Sequence, residues 1–374
     1  MKHKTIAILF FLFFSLICLS CKQDIVEEQK KSSIIIGETL TIFSKELKED
    51  RELMISLPKN YERNIHSYPV IIVLDAEYLF ELTSAIVKHK VSRNEMPESI
   101  VVGIPNTPDG RYDMAMELKY EDGSTFFGDA KGEKIDNYLN FIESEVLTFI
   151  KDKFRVNSHA SIIGMSPTLG PVFEGLWNRP ELFRGYIALA PELAVITNTE
   201  KTIEQRLLKT IQTNNALKTS VYIGKASEDL KRRAQQETLA YKNLNQIDSV
   251  GNNINYKIEV LQNENHYGMA IKGIENGLET IYPYEAWTIP YRDFWKSENP
   301  AQAIETYYNK LSKTYGFKVL PQEDAFYFVQ TLTGTIKRFY RRGEKDKAER
   351  VLNLALKYYP NSENFKEWLL LLSQ

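Results

Sequence analysis

The chain has 374 residues, 43% hydrophobic and 26% charged, and its 47 basic and 49 acidic residues leave a formal net charge of -2. That is enough for one large domain plus an appendage, and the absence of long single-sign blocks argues against a nucleic-acid surface. Both cysteines, Cys18 and Cys21, lie near the start, so the rest of the chain has no disulfide-forming pair and relies on an ordinary packed core.

Lys2 and Lys4 precede an apolar run from Ile6 to Leu19 that is too short to span a bilayer and closes on Ser20. This is the pattern of a secretory signal segment over residues 1–20. Cys21 follows directly, in a setting that resembles a bacterial lipoprotein processing site, with Cys18 where leucine is usual. A lipid on Cys21 would make the membrane a partner, and the polar residues 21–33 read as a tether.

From Ile34 the pattern turns to strands. SIIIGETLTIF and RELMISLP alternate apolar and polar residues and are expected to pair as antiparallel edge strands. PVIIVLD (Pro69 to Asp75) and Ile100 to Ile104 are continuously apolar, the mark of strands buried on both faces. Tyr78 to Val91 between them has helical character, which makes a crossover and favours a parallel sheet. Glu133 to Lys151 sets Ile135, Tyr138, Leu139, Ile142, Val146 and Phe149 at helical spacing. Strands are expected at Ser161 to Gly164, Gly185 to Ala190, Ser220 to Gly224 and Tyr256 to Leu261, with helices between them. The fold class is therefore α/β, a mostly parallel and doubly covered sheet over residues 34–290.

After Pro290 no convincing strand remains, and residues 291–374 read as a helical tail. Gly343, Ala348, Leu352, Ala355 and Pro360 sit at the offsets of a tetratricopeptide-type hairpin, with Phe339 on the preceding helix. A single repeat cannot bury its own apolar face, so it is expected to pack on neighbouring helices or on the body. Binding of a protein partner is a further expectation for it. The aromatics from Tyr282 to Trp295 seat the tail or border a pocket, and the structural role is favoured.

The most informative stretch is SIIGMSPTLGPVFEGLWNRPELFRGYIALAPEL, a strand, a sharp turn carrying Ser166, a helix and a second buried strand. That unit holds the nucleophilic serine in an α/β-hydrolase, whose elbow consensus is G-x-S-x-G. Here it is Gly164-Met165-Ser166-Pro167-Thr168, with the second glycine replaced.

YPVIIVLDAEYLF, VVGIPNT, NYLNFIESEVLTFIKDKFRV, the SIIGMS elbow with NRPELFRGYIALAPEL, and NENHYGMAIKGIENGLETIYP occur in one order at characteristic spacing. With them the chain resembles the esterases related to enterochelin esterase and esterase D, in the lipoprotein form common in Bacteroidetes-type bacteria. The resemblance implies an α/β-hydrolase acting on a small ester, with Ser166 as nucleophile and His266 as base.

The residues agree. Ester attack needs an imidazole within reach of the serine hydroxyl, and among five histidines His266 alone follows a strand in a loop that presents a base. A carboxylate should orient that imidazole. Glu228 and Asp229 both follow the strand SVYIGK, with Glu228 the first choice and Asp229 the alternative. One oxyanion donor in this fold is the N–H of the residue after the serine, yet that residue is Pro167, which has none. Proline also biases Ser166 toward extended backbone. The other donor is expected from the N–H of Ala76 or Glu77. Arg111, after the VVGI strand, is a candidate for a substrate carboxylate or phosphate, or else a solvated loop residue.

No phosphate-binding glycine loop, dinucleotide fingerprint or metal-ligand cluster is present, so no cofactor is expected. Two functions follow: a cell-envelope serine ester hydrolase, or a non-catalytic descendant that binds a ligand or a protein, which the departures at Ala76, Pro167 and Thr168 would suit.

Overall fold

A computed structural model describes residues 33–373 apart from 109, 214–217, 233, 247–253 and 326–328. The expected signal segment, Cys21 and the tether up to residue 32 lie outside the described residues. The described residues from Ile36 onward form one compact unit.

Ten strands are present among the described residues: β1 (Glu38–Ser44), β2 (Glu49–Ser56), β3 (Tyr68–Leu74), β4 (Ile100–Ile104), β5 (Leu118–Lys119), β6 (Val156–Met165), β7 (Gly185–Leu189), β8 (Ile196–Thr197), β9 (Thr219–Ala226) and β10 (Ile254–Leu261). Eight of them make one sheet in the order β1-β2-β4-β3-β6-β7-β9-β10, while β5 and β8 pair separately. Within it β4, β3, β6, β7, β9 and β10 run parallel, and β1 and β2 are antiparallel at one edge, as their alternating pattern indicates. β6 begins five residues before the predicted Ser161, because its polar first half pairs with β3 across an irregularity between Tyr68 and Val70.

The apolar strands are buried on both faces, and successive side chains enter different cores. Ile71, Val73, Ile163, Ile187 and Leu189 join α1 (Ala76–Ser92) in one cluster. Val70, Ile72, Leu74, Ile162, Tyr186 and Ala188 join a second, on the opposite face. That face is covered by α2 (Ile135–Asn140), α3 (Leu147–Lys153), α4 (Leu169–Asn178), α5 (Ile203–Thr213) and α6 (Ala234–Asn245). A π-helical stretch, Phe141–Val146, joins α2 to α3. It shifts the buried stripe by a residue, so Ile150 is buried where the α period pointed to Phe149.

The first cluster continues through α7 (Ala270–Ile281) and α8 (Tyr284–Trp287) into the tail. There α9 (Tyr291–Lys296), α10 (Pro300–Tyr315), α11 (Leu332–Arg341), α12 (Lys345–Tyr358) and α13 (Glu363–Leu372) bury Phe294, Tyr308, Phe339, Ala348, Leu352, Ala355 and Phe365 in it. The tail meets the body where the parallel strands begin. The His66 ring stands edge-on to Tyr359 at 4.9 Å, and His159 lies 5.2 Å from Phe317 and 6.0 Å from Tyr282. Asn94 Nδ2 donates to Gln330 O at 2.8 Å. Among the described residues no helix is long and apolar enough to cross a membrane.

Candidate active site

The C-terminal ends of the parallel strands deliver the candidate residues one after another: Asp75 after β3, Ser166 after β6, Glu192 after β7, Asp229 after β9 and His266 after β10. Open parallel sheets gather their ligands at that end.

β6 stops at Met165, and Ser166 takes φ +58. This left-handed conformation costs a non-glycine residue on the order of 1–3 kcal/mol. The expectation that Pro167 draws Ser166 toward extended backbone is thereby corrected, and the cause is visible. Met165 N–H donates to Thr168 Oγ1 at 2.9 Å, and Thr168 Oγ1 donates to Asp75 Oδ2 at 2.8 Å. The turn is closed on itself and tied to the end of β3, which overrides the local preference of proline. Pro167 lies in the first turn of the helical segment, where the N–H that proline lacks would have had no helical partner. Gly164 keeps its consensus role, since a Cβ there would sit 2.8 Å from both Thr168 O and Val172 Cγ2.

Asp75 is fully buried, with φ +51, at the position that would cap α1, yet its carboxylate does not cap that helix. Besides Thr168, it accepts from Asn106 Nδ2 at 2.7 Å and from Arg111 Nε at 3.1 Å. Burial pushes its carboxyl above the usual value, against the opposing pull of Thr168, Arg111 and Asn106. The arginine is thus partnered rather than solvated, and its Nη2 also donates to Tyr78 OH at 3.1 Å.

Ala76 buries its side chain in the core, and the Glu77 carboxylate accepts from Asn106 N and Nδ2 at 3.1 and 2.7 Å. No side chain caps the helix they begin, which leaves their N–H groups without a helical partner. Neither residue is among those lining the pocket that contains Ser166.

His266 Nδ1 lies 2.7 Å from Asp229 Oδ2. A carboxylate accepts, so Nδ1 carries the hydrogen and Nε2 is left for chemistry. Glu228, the first choice from sequence, is corrected to its neighbour. Glu228 is half exposed and pairs with Lys231, because the turn entering Asp229–Arg232 aims successive side chains in different directions. Ser166, Asp229, His266 and Arg111 line one pocket of about 380 Å³, with an aromatic wall that includes Tyr112, Phe126 and Phe127.

Sequence reasoning missed the anchoring role of Asp75 and the hydroxyl role of Thr168, whose chain positions are 93 residues apart. It also missed Lys225, fully buried in β9, whose Nζ donates to Glu192 Oε1 at 2.7 Å and to Pro191 O at 2.9 Å. A lysine ending the apolar strand SVYIGK was the available signal, since a buried lysine needs a partner. Among the described residues no group of His, Cys, Asp or Glu gathers as a metal site requires.

An eight-stranded, largely parallel sheet covered on both faces, with a strained serine between strand and helix, defines an α/β-hydrolase. The Esterase family model, described as "Putative esterase", matches residues 44–268, and the chain belongs to that family. A curated relative, the uncharacterized protein YjcH of Bacillus subtilis, is 32% identical over 114 residues. That match covers 30% of this chain and only 42% of the relative's length. Among solved structures, an IroE-like serine hydrolase from Shewanella oneidensis aligns over 86% of this chain and 99% of its own, with a TM-score of 0.66 and 21% identity. A protein from Capnocytophaga ochracea covers 86% of this chain and 84% of its own, with a TM-score of 0.60 and 16% identity. At those identities the likeness concerns the fold.

Proposed function

We propose that the protein hydrolyses small esters through an acyl-enzyme on Ser166, with His266 as base and Asp229 as the acid that orients it. The observation that carries this reading is the 2.7 Å Asp229–His266 pair, which lines the same pocket as a serine held at φ +58.

Ser166 Oγ bonds to the ester carbonyl carbon while its proton passes to His266 Nε2, and Asp229 stabilises the resulting imidazolium. Collapse of the tetrahedral adduct breaks the bond to the alcohol, which leaves with that proton. Water then repeats the sequence on the acyl-serine, releasing the acid and restoring the hydroxyl.

The oxyanion formed twice in that cycle lacks the usual amide donor at Pro167. Arg111 is suited to replace it. Its guanidinium lines the pocket and is held by Asp75, the same carboxylate that holds the elbow through Thr168.

A fluorophosphonate probe should label the protein at Ser166 and fail to label Ser166→Ala, and the same substitution should abolish turnover of short acyl esters. A folded wild-type protein that neither labels nor turns over would overturn the reading in favour of a binding protein, for which Pro167 is the main argument. Arg111→Gln should lower kcat by about a hundredfold or more, the usual effect of losing one oxyanion donor.

We also propose that the protein is exported and held at the cell envelope by a lipid on Cys21, supported by the leader pattern alone. Cys21→Ser should move it from the membrane to the soluble fraction. Membrane retention of that variant would refute the anchor.

A further inference from the structure

Behind the pocket wall, one cation serves two carboxylates. Lys225 Nζ is 2.7 Å from Glu192 Oε1 and 3.7 Å from Glu237 Oε2. Lys225 and Glu237 are fully buried, whereas the Glu192 side chain keeps 11% of its surface and lines the pocket. Glu237 is committed elsewhere, accepting from Leu193 N at 3.0 Å and Ala194 N at 2.7 Å. Among the described residues the other lysine contact is the Pro191 carbonyl, so with both carboxylates ionised this group of three carries one negative charge in excess at the pocket edge. Asp229 adds a second close by. Burial disfavours the Glu192 charge, Lys225 favours it, and Glu237 and Asp229 work against it, with a net upward shift of its carboxyl. Across the pocket, Asp75 already neutralises Arg111.

The rest of the wall suits a cation as well. Tyr112, Phe127, Phe126 and Tyr120 form a chain of ring contacts with centroids 6.1, 4.5 and 5.6 Å apart, and all four line the pocket. The faces of such rings attract organic ammonium groups, most strongly where water is excluded.

We infer that the pocket selects esters carrying an organic ammonium group, with Glu192 as its counter-ion and the ring wall as its cradle. The inference rests on the reading of Ser166 as the nucleophile of this pocket. Lys225 is then a positioning residue, fixing Glu192 and the Pro191 carbonyl from behind.

The test compares two thioesters of one shape, acetylthiocholine and 3,3-dimethylbutyl thioacetate, which differ in charge at a single atom. Wild type should favour the cation in kcat/KM by on the order of tenfold, and Glu192→Gln should remove that preference. A purely structural role for Glu192 lowers both rates together and leaves the ratio intact, which would overturn the inference, as would a wild-type ratio of one or below. A second arm measures acetylcholine binding calorimetrically to Ser166→Ala and to the Ser166→Ala, Glu192→Gln double variant. Binding lost only in the double variant, with no turnover by wild type, keeps the ammonium site and removes the nucleophile. Turnover of both thioesters without preference, and no acetylcholine binding, does the reverse.

Discussion

Asp229 and Glu228 are chain neighbours of similar chemistry, and only the turn after β9 decides which of them meets the imidazole. Asp229→Asn leaves the shape of the site but offers His266 an amide that favours the wrong tautomer. It should lower kcat on the order of 10³- to 10⁴-fold, whereas Glu228→Gln should stay within about threefold, as read by steady-state hydrolysis of a nitrophenyl ester. Equal effects would mean that the Asp229 bond is dispensable. The placement of Ser166 and His266 at strand ends was legible because each sits in a motif with a fixed place relative to a strand. The carboxylate that meets the imidazole was legible only to within one position, since a two-residue acidic step carries no periodicity that assigns a direction to either side chain.

The elbow shows what an element can conceal. GMSPT reads as a damaged consensus because proline and threonine occupy positions four and five, yet the serine adopts the strained conformation that the consensus serves. Thr168 compensates with its hydroxyl, which receives the Met165 amide and reaches Asp75. Thr168→Val keeps the volume and removes that bridge, leaving a buried amide and one carboxylate oxygen without this partner. The expected loss is about 1–3 kcal/mol in urea unfolding, together with a fall in kcat as the elbow loosens. A variant as stable and active as wild type would place the clamp elsewhere. The strand, turn and helix could be read locally, whereas the compensating contact could not, because its partner is supplied by another strand.

On the scale of the whole molecule, the tail occupies the end of the sheet opposite the site, and the junction is built on two histidines held neutral. Burial and Arg155 lower His66 to about 4, and burial and Arg184 lower His159 to about 4. Near them, burial and Glu323 raise Glu98 to about 7. Between about pH 5.5 and 4.5 the unfolded chain binds nearly two protons at the histidines that the folded chain refuses, while folded Glu98 binds nearly one that the unfolded chain refuses. The one-proton excess makes stability fall with acidification by about 1.4 kcal/mol per pH unit. His159→Phe replaces a ring whose nitrogens have no hydrogen-bond partner among the described residues with one that suits its aromatic neighbours, and removes that excess. Its unfolding free energy should be nearly flat over the same range, and a retained acid slope would assign the protons elsewhere. The helical nature of the tail was plain from its spacing. Its shared core was not, because spacing identifies an apolar face without saying what covers it. The bond from Asn94 to Gln330 spans 236 residues, so this junction closes a very long loop. Contacts of such separation form slowly. A chain released from its amino end has Ser166, Asp229 and His266 outside well before residue 330 arrives. The candidate site can therefore assemble first, and in a refolding time course the protease resistance of the whole protein is expected to appear only with the rear closure.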